Sequence, residues 1–156
     1  MSENTQTAQV LVRPPIAWAV ALAAGFTLTW LEPLPFVPDD WPGGLIGAVV
    51  FVLALALAFW AMDTMTRAGT NVPTNRPTTA IVDGGPYRFT RNPIYLGMFG
   101  GLIGLGIAFD TLWLPAMLVP FALIIRYGVV AREEAYLERS FGEAYRGYRK
   151  RVRRWL

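Results

Sequence analysis

The stretch 84–97 holds the polar residues best placed for chemistry, since it runs directly into a long apolar segment. It reads Gly-Gly-Pro-Tyr-Arg-Phe-Thr-Arg-Asn-Pro-Ile-Tyr-Leu-Gly. Asn92 is a favourable helix N-cap, and Pro93 suits the first helical position. Arg88 and Arg91 precede this helix start, where free backbone N–H groups also attract anions. The stretch therefore predicts an anion site, and the simpler alternative is an interfacial loop whose arginines face lipid phosphates.

Two adjacent carboxylates form a second candidate group. Glu133 and Glu134 follow Arg132 in a segment with helical spacing. Neighbouring side chains on a helix point about 100° apart, so the two carboxylates can serve different partners. They could accept hydrogen bonds from ligand hydroxyls or from an ammonium group. Taken alone, the pair is better explained by a solvated helix face that also includes Glu138 and Arg132.

Composition excludes several classes of site. Of the 156 residues, 54% are hydrophobic and 16% are charged, whereas about 25% are charged in a typical soluble domain. The sequence contains neither cysteine nor histidine. A disulfide, a thiolate nucleophile, a Ser-His-Asp triad and a histidine-based zinc site are therefore impossible, and we expect no metal.

Four apolar runs indicate membrane-spanning helices, for which about 20 residues are typical. They cover residues 16–31, 43–62, 93–109 and 112–125. Four prolines make 32–42 a non-helical turn, and 63–91 is a long polar connection. Asp110 and Thr111 separate the last two runs, which therefore form a helical hairpin. Pro115 and Pro120 can bend the fourth helix, as membrane helices tolerate.

The fourth helix is expected to continue out of the membrane, because helical spacing persists in Arg126, Val130, Glu133, Leu137 and Phe141. Gly142 is a candidate stop for that extension. The basic and aromatic segment 143–156 favours a surface that binds lipid headgroups, and no soluble fold is indicated that would support nucleic-acid binding. The fold class predicted is thus an all-α polytopic membrane protein with about four transmembrane helices plus a C-terminal cytosolic helix.

Basic residues predict the orientation. All 14 lysines and arginines fall on the side of both termini and of the 63–91 connection, while the opposite turns carry acidic residues. The positive-inside rule puts the termini and that connection in the cytosol, and we expect the bacterial inner membrane. The glycines of the third run, including Gly97, are spaced four apart as in close helix packing; a cofactor lying against the backbone near Gly97 is the alternative.

Together these motifs resemble those of a known family. Gly-Pro-Tyr-Arg…Arg-Asn-Pro-Ile-Tyr-Leu-Gly, a helical hairpin, Arg-Glu-Glu-x-x-Leu and Phe-Gly-x-x-Tyr-x-x-Tyr follow in order over roughly residues 65–150. This order resembles the isoprenylcysteine carboxyl methyltransferase and phospholipid methyltransferase family of integral membrane enzymes. The resemblance implies one membrane-embedded methyltransferase domain over 1–156, with two N-terminal spans in 1–62 and a cofactor-binding catalytic core in 63–156.

The resemblance also implies the reaction, which is methyl transfer from S-adenosylmethionine to a lipophilic, membrane-resident acceptor such as an isoprenylcysteine-like carboxylate or a lipid amine. It implies that catalysis involves Arg91, Asn92 and Glu133, and that Arg126 binds substrate. The cofactor-binding residues that it implies are Tyr87, Arg88, Asn92, Pro93, Tyr95, Gly97, Glu133 and Glu134. Membrane lipids are the expected surroundings and partners.

Two departures from the family pattern affect these expectations. Asn92 stands where the family has histidine, so it can form hydrogen bonds but cannot act as a titrating base. The family's Val-Pro ending is replaced by Val152-Arg153-Arg154. Two other functions remain open, namely an NADPH-dependent membrane sterol-type reductase, whose family carries a similar Arg-His-Pro-x-Tyr segment, and a non-catalytic lipid-binding membrane protein.

Overall fold

The computed structural model describes residues 7–72 and 76–156, and every regular element within these ranges is helical. Helices α1 (Pro14–Leu31) and α2 (Gly43–Arg67) come first, and α3 (Pro93–Ala108) follows the polar connection. A long helical segment then comprises α4 (Trp113–Ala116), α5 (Leu118–Leu123), a π-helical part (Ile124–Val130) and α6 (Ala131–Phe141), after which α7 covers Glu143–Arg151. Part of the predicted 63–91 connection, residues 73–75, lies outside the described residues.

Local chemistry explains where the helices begin and end. Pro14 and Pro93 occupy first helical positions, where a missing N–H costs nothing. The predicted end of the second helix at residue 62 was too early, because α2 continues to Arg67. Arg67 pairs with Asp63 one turn earlier at 2.8 Å, which supports this polar extension. At the other end, Gly142 has φ 52°, a conformation that favours glycine, and it ends α6 as expected.

In the part of the chain that the structure describes, three helices are long and apolar enough to cross a membrane, namely Pro14–Leu31, Gly43–Arg67 and the segment Trp113–Phe141. The fourth apolar helix, Pro93–Ala108, is shorter at 16 residues, or about 24 Å at 1.5 Å per residue. The chain is therefore an all-α polytopic membrane protein, in which three helices reach spanning length and α3 packs among them.

The glycines of α3 allow it to lie directly against α2. A Cβ on Gly97 would come within 2.7 Å of the Ala54 carbonyl oxygen, and one on Gly104 within 2.6 Å of the Phe51 nitrogen. Gly47 of α2 likewise faces the backbone of Ala108. The contacts run in opposite directions along the two helices, so α2 and α3 are antiparallel and pack through small residues within one chain.

The two turns at the end of the molecule away from Arg91 are tied together. Asp110, with φ 46°, accepts hydrogen bonds at its Oδ1 from the backbone N–H groups of Phe36 and Val37, each at 2.8 Å. The Thr29 and Thr111 hydroxyls lie 2.6 Å apart. This side-chain pairing holds the proline-rich turn after α1 against the turn after α3.

The main core cluster combines residues from α1, α3 and the helical segment that begins at Trp113. Leu102, Leu114 and Phe121 are at most 1% exposed and pack with Ala17 and Ala21 of α1. A second, smaller cluster forms where α7 folds back, with Tyr145, Tyr148 and Val152 buried. The packing of α7 brings the chain beyond it to the start of α3, which determines the geometry of the site described next.

Candidate functional site

A cavity of about 140 Å³ lies between the connection after α2, the first turn of α3, and helices α6 and α7. We call it the arginine–glutamate cavity after its charged lining residues, Arg76, Arg91, Glu133 and Glu134. Most of its remaining wall is apolar or aromatic, with side chains that include Val82, Ile94, Leu137, Tyr87, Tyr95 and Tyr145. A pocket with an apolar wall and few converging charged groups is typical of a small-molecule or cofactor site.

Glu133 faces the cavity with a single hydroxyl partner. Its Oε1 accepts a hydrogen bond of 2.9 Å from the Tyr95 hydroxyl. Tyr95 is 7% exposed and lies in the first turn of α3, so the bond joins α3 to α6. Across residues 7–72 and 76–156, no cationic side chain lies within ion-pair distance of Glu133. A cationic ligand in the cavity would supply the partner that this carboxyl group lacks among these residues.

Glu134 differs from Glu133, because two arginines form ion pairs with its carboxylate. Arg91 Nη1 lies 2.9 Å from Glu134 Oε1. Arg154 donates from Nε to Oε1 at 2.9 Å and from Nη2 to Oε2 at 2.8 Å. Charge-assisted, two-point contacts of this kind are the stronger hydrogen bonds in proteins. Glu134 is thus held in place by the protein itself.

The Arg91 guanidinium includes a buried donor beside its bonded Nη1. Its Nη1 also donates to the Tyr145 hydroxyl at 3.1 Å. Its Nε is buried and has no hydrogen-bond partner among the described residues. Leaving a buried donor unpaired costs about 1–3 kcal/mol or more for a charged group.

The loop before α3 is anchored by buried groups. Gly85–Arg88 forms one 3-10 turn, and the Tyr87 carbonyl accepts a 2.8 Å hydrogen bond from the Tyr148 hydroxyl. Burial raises the pKa of both the Tyr87 and the Tyr148 hydroxyl. Both hydroxyls are therefore neutral near pH 7, and Tyr148 acts as a hydrogen-bond donor.

Asn92 occupies the N-cap position of α3, as predicted, but its side chain makes no capping hydrogen bond. The side-chain Nδ2 instead donates to the Arg154 carbonyl at 2.8 Å. Asn92 is 8% exposed and lines the cavity with Pro93. Its side chain therefore links the loop to the segment after α7.

The structure brings together most of the sequence-predicted site residues, since the following line one cavity: Tyr87, Arg91, Asn92, Pro93, Tyr95, Glu133 and Glu134. Three others lie outside its lining. Arg88 is exposed, with its guanidinium over the Phe89 ring at 5.7 Å, and Arg126 stacks over the Tyr127 ring at 5.2 Å. Gly97 meets α2 and not the cavity, because close helix packing occupies the space beside its backbone.

Sequence reasoning missed Tyr145 and Arg154, whose side chains contact predicted site residues. Tyr145 lines the cavity and binds Arg91, and Arg154 binds Glu134. The spacing of Tyr145 and Tyr148 on one helical face was the available signal for a buried side of α7. Arg154 gave no such signal, since it belongs to a run of basic residues that was interpreted as a headgroup-binding surface.

A comparison with protein families agrees with this geometry. The profile of the phospholipid methyltransferase family matches residues 43–144, which is more than half of the chain. The chain belongs to the phospholipid methyltransferase family. Membership indicates methyltransferase activity on membrane lipid-type substrates, and with the three apolar helices it identifies an integral membrane protein. Arg91, Glu133 and Glu134 lie inside the matched range, and Arg154 lies beyond it.

Two curated relatives share shorter stretches. An uncharacterised protein of Haemophilus influenzae is 49% identical over 51 residues, which are 30% of this chain and 81% of that protein. The nickel-cobalt-cadmium resistance protein NccN of Alcaligenes xylosoxydans xylosoxydans is 34% identical over 68 residues, which are 44% of this chain and 32% of NccN. The match to this chain therefore spans about a third of the length of NccN.

Proposed function

We propose that this protein transfers a methyl group from S-adenosylmethionine to a lipophilic acceptor in the membrane, such as an isoprenylcysteine-like carboxylate or a lipid amine. The observation that carries the proposal is a carboxyl group and a guanidinium that line the same cavity. Within residues 7–72 and 76–156, Glu133 has a tyrosine hydroxyl but no cation as its partner, and Arg91 lines the cavity beside it. The methionine end of S-adenosylmethionine carries an ammonium and a carboxylate, which are complementary to these two groups.

The cofactor supplies, when bound, a methyl group activated by a sulfonium. Glu133 would bind the ammonium group or the ribose hydroxyls, and Arg91 would bind the carboxylate. Tyr87 and Tyr95 would pack against the adenine, and Asn92 with Pro93 would hold the start of α3 beside it. Glu134 would position Arg91, because it already pairs with two arginines.

Positioning is the main contribution that these residues can make. Holding two reactants in line can lower a barrier by about 7–11 kcal/mol without any acid or base. This suits a chain with no histidine, in which Asn92 cannot remove a proton. An acceptor that is already ionised, such as a carboxylate, would need no base at all.

We further propose that the cavity faces the cytosol and that residues 1–156 form one domain. The cavity lies at the end of the helices that carries the arginines, which the positive-inside rule assigns to the cytosol. A water-soluble cofactor would enter there, while the acceptor would enter sideways from the bilayer of the bacterial inner membrane. The shared core of α1 with α3 and α5 supports a single domain.

Calorimetric titration of S-adenosylhomocysteine into the detergent-purified full chain tests the proposal. We expect the parent to bind and Glu133→Gln to bind at least about tenfold more weakly, since the neutral amide loses the attraction to a cation. Glu138→Gln is the matched control, because Glu138 lies on the same helix but pairs with Arg146 and Arg149 outside the cavity.

Two results would contradict the proposal. A folded, lipid-supplemented parent that binds no S-adenosylhomocysteine would refute the cofactor, and binding of NADPH by that sample would favour the reductase instead. Equal binding by the parent and Glu133→Gln would refute the role of Glu133 alone.

A further inference from the structure

The segment that follows α7 returns to the arginine–glutamate cavity without lining it. Arg154 forms two parallel hydrogen bonds with Glu134, through Nε at 2.9 Å and Nη2 at 2.8 Å. Its side chain is 32% exposed, whereas the side chain of Glu134 is 14% exposed. Arg154 therefore binds the carboxylate from the outer side, while Glu134 itself lines the cavity.

The backbone of the same segment holds the loop that carries Arg91. The Arg154 carbonyl accepts hydrogen bonds from Asn92 Nδ2 at 2.8 Å and from the Thr90 hydroxyl at 3.1 Å. The Arg153 carbonyl accepts one from the Arg91 backbone N–H at 3.0 Å. Since these bonds involve residues on both sides of Arg91 as well as Arg91 itself, they hold the loop against the segment after α7.

Both arginines contact the Glu134 carboxylate, and they share its Oε1 oxygen. Arg91 reaches Oε1 through Nη1 alone, and Arg154 covers both oxygens. A guanidinium and a carboxylate prefer a two-point contact. If Arg154 were absent, Glu134 Oε2 would lack a cation, and Arg91 would gain by turning its Nε toward the carboxylate. Without Arg154, the Arg91 side chain is therefore expected to change its orientation.

We propose that Arg154 is a positioning residue for the cofactor, which acts by occupying Glu134 so that the Arg91 guanidinium keeps its present orientation in the cavity wall. This inference rests on the proposed function for the identity of the ligand. The effect of Arg154 on Arg91, however, exists without any ligand and can be measured separately.

The first measurement therefore uses the ligand-free full chain. In detergent-solubilised protein labelled with ¹⁵N, the Arg91 Nε–H resonance is identified by its loss in Arg91→Lys. We expect the chemical shift of this resonance to change in Arg154→Gln. It should be unchanged in Arg153→Gln, which removes the same charge from an exposed neighbour. An Arg91 resonance that is unmoved in Arg154→Gln overturns the inference, whatever the cofactor does.

The second measurement is the affinity for S-adenosylhomocysteine. We expect Arg154→Gln to bind about tenfold more weakly, Arg154→Lys to lie between it and the parent, and Arg153→Gln to match the parent. Because Arg154 acts through Glu134, the double variant Glu134→Gln/Arg154→Gln should bind like Glu134→Gln alone. Additive losses, or parent-like binding by Arg154→Gln, overturn the positioning role.

The two measurements separate the possible failures. A parent that binds no S-adenosylhomocysteine refutes the proposed function. The Arg91 resonance then still decides whether Arg154 controls the orientation of the Arg91 side chain. A parent that binds, together with an unmoved resonance, refutes the inference alone. If Arg154→Gln does not fold, as judged by gel filtration, the same two comparisons are made with Arg154→Lys, which keeps the charge but cannot form the two-point contact.

Discussion

At the scale of single residues, Glu133 and Glu134 have different partners, although nothing in the sequence distinguishes the two. Glu134 contacts Arg91 and Arg154, and Glu133 contacts the Tyr95 hydroxyl. The difference follows from the rotation of about 100° between neighbouring positions on a helix. One carboxylate turns toward the segment after α7 and the other toward α3, so only Glu133 remains available to a cation in the cavity.

The hydroxyl of Tyr95 is expected to stabilise the fold through Glu133. Tyr95→Phe leaves the ring in place but removes the 2.9 Å hydrogen bond to a carboxylate in the protein interior. We expect the free energy of unfolding to fall by about 1–3 kcal/mol, seen as a lower melting temperature in detergent. Tyr127→Phe is the control, because Tyr127 is 65% exposed, and equal melting of the two variants would contradict the prediction.

Asn92 shows what a substitution in a family motif can preserve. Its Nδ2 donates to the Arg154 carbonyl at 2.8 Å, and a histidine ring N–H is likewise a hydrogen-bond donor. What asparagine cannot supply is a group that titrates near neutral pH. The substitution therefore keeps an anchor between loop and tail and removes a base, which agrees with a reaction driven by positioning.

At the scale of elements, the site depends on how closely α2 and α3 pack. Gly97 lies against the Ala54 carbonyl and Gly104 against the Phe51 nitrogen. These contacts fix the position of α3 along α2. They therefore also fix its first turn, in which Tyr95 lies beside Glu133. A glycine that sequence reasoning assigned to the cofactor thus acts on the site through helix packing.

Gly47 provides a test of this packing, with Gly44 on the same helix as its control. A Cβ at Gly47 would overlap the backbone of Ala108 and Gly104, which cannot move aside as a flexible side chain can, whereas one at Gly44 would meet nothing within 4 Å. We expect Gly47→Ala to lower the free energy of unfolding by about 1–3 kcal/mol. Gly44→Ala should be neutral or stabilising by up to about 1 kcal/mol. Similar melting temperatures for both variants would refute direct backbone contact between α2 and α3.

At the scale of the whole molecule, the two ends of the helices differ in charge and in chemistry. At one end, Asp110 joins the turn after α1 to the turn after α3. The other end carries the cavity, the loop around Arg91 and the basic segment after α7. A cofactor made in the cytosol can reach the cavity only if this second end is cytosolic, so the proposed function and the positive-inside rule require the same orientation.

Cysteine labelling can test the orientation, since the chain has no cysteine of its own. Asp40 lies in the turn after α1 and Lys150 lies in α7, and both are exposed. In intact bacterial spheroplasts, a membrane-impermeant maleimide should label Asp40→Cys and should label Lys150→Cys only after permeabilisation. Labelling of Lys150→Cys in intact spheroplasts would place the cavity on the outer side and contradict the orientation.

The sequence by itself determined the class of the protein and most of the site. Hydropathy identified the apolar helices, and the prolines and Gly142 marked where helices start and stop, because these signals act between residues close along the chain. The motif around Arg91 and the Glu133–Glu134 pair also indicated the family, which the match over residues 43–144 shows.

Only the tertiary structure decided which candidates meet and what each contacts. It separated the roles of Glu133 and Glu134, left Arg88, Gly97 and Arg126 outside the cavity, and added Tyr145 and Arg154 to its surroundings. The bond between Asn92 and Arg154 joins residues 62 positions apart. Such contacts arise when α7 buries one face against the rest of the fold, and no local pattern in the chain specifies the partner that this packing brings into reach.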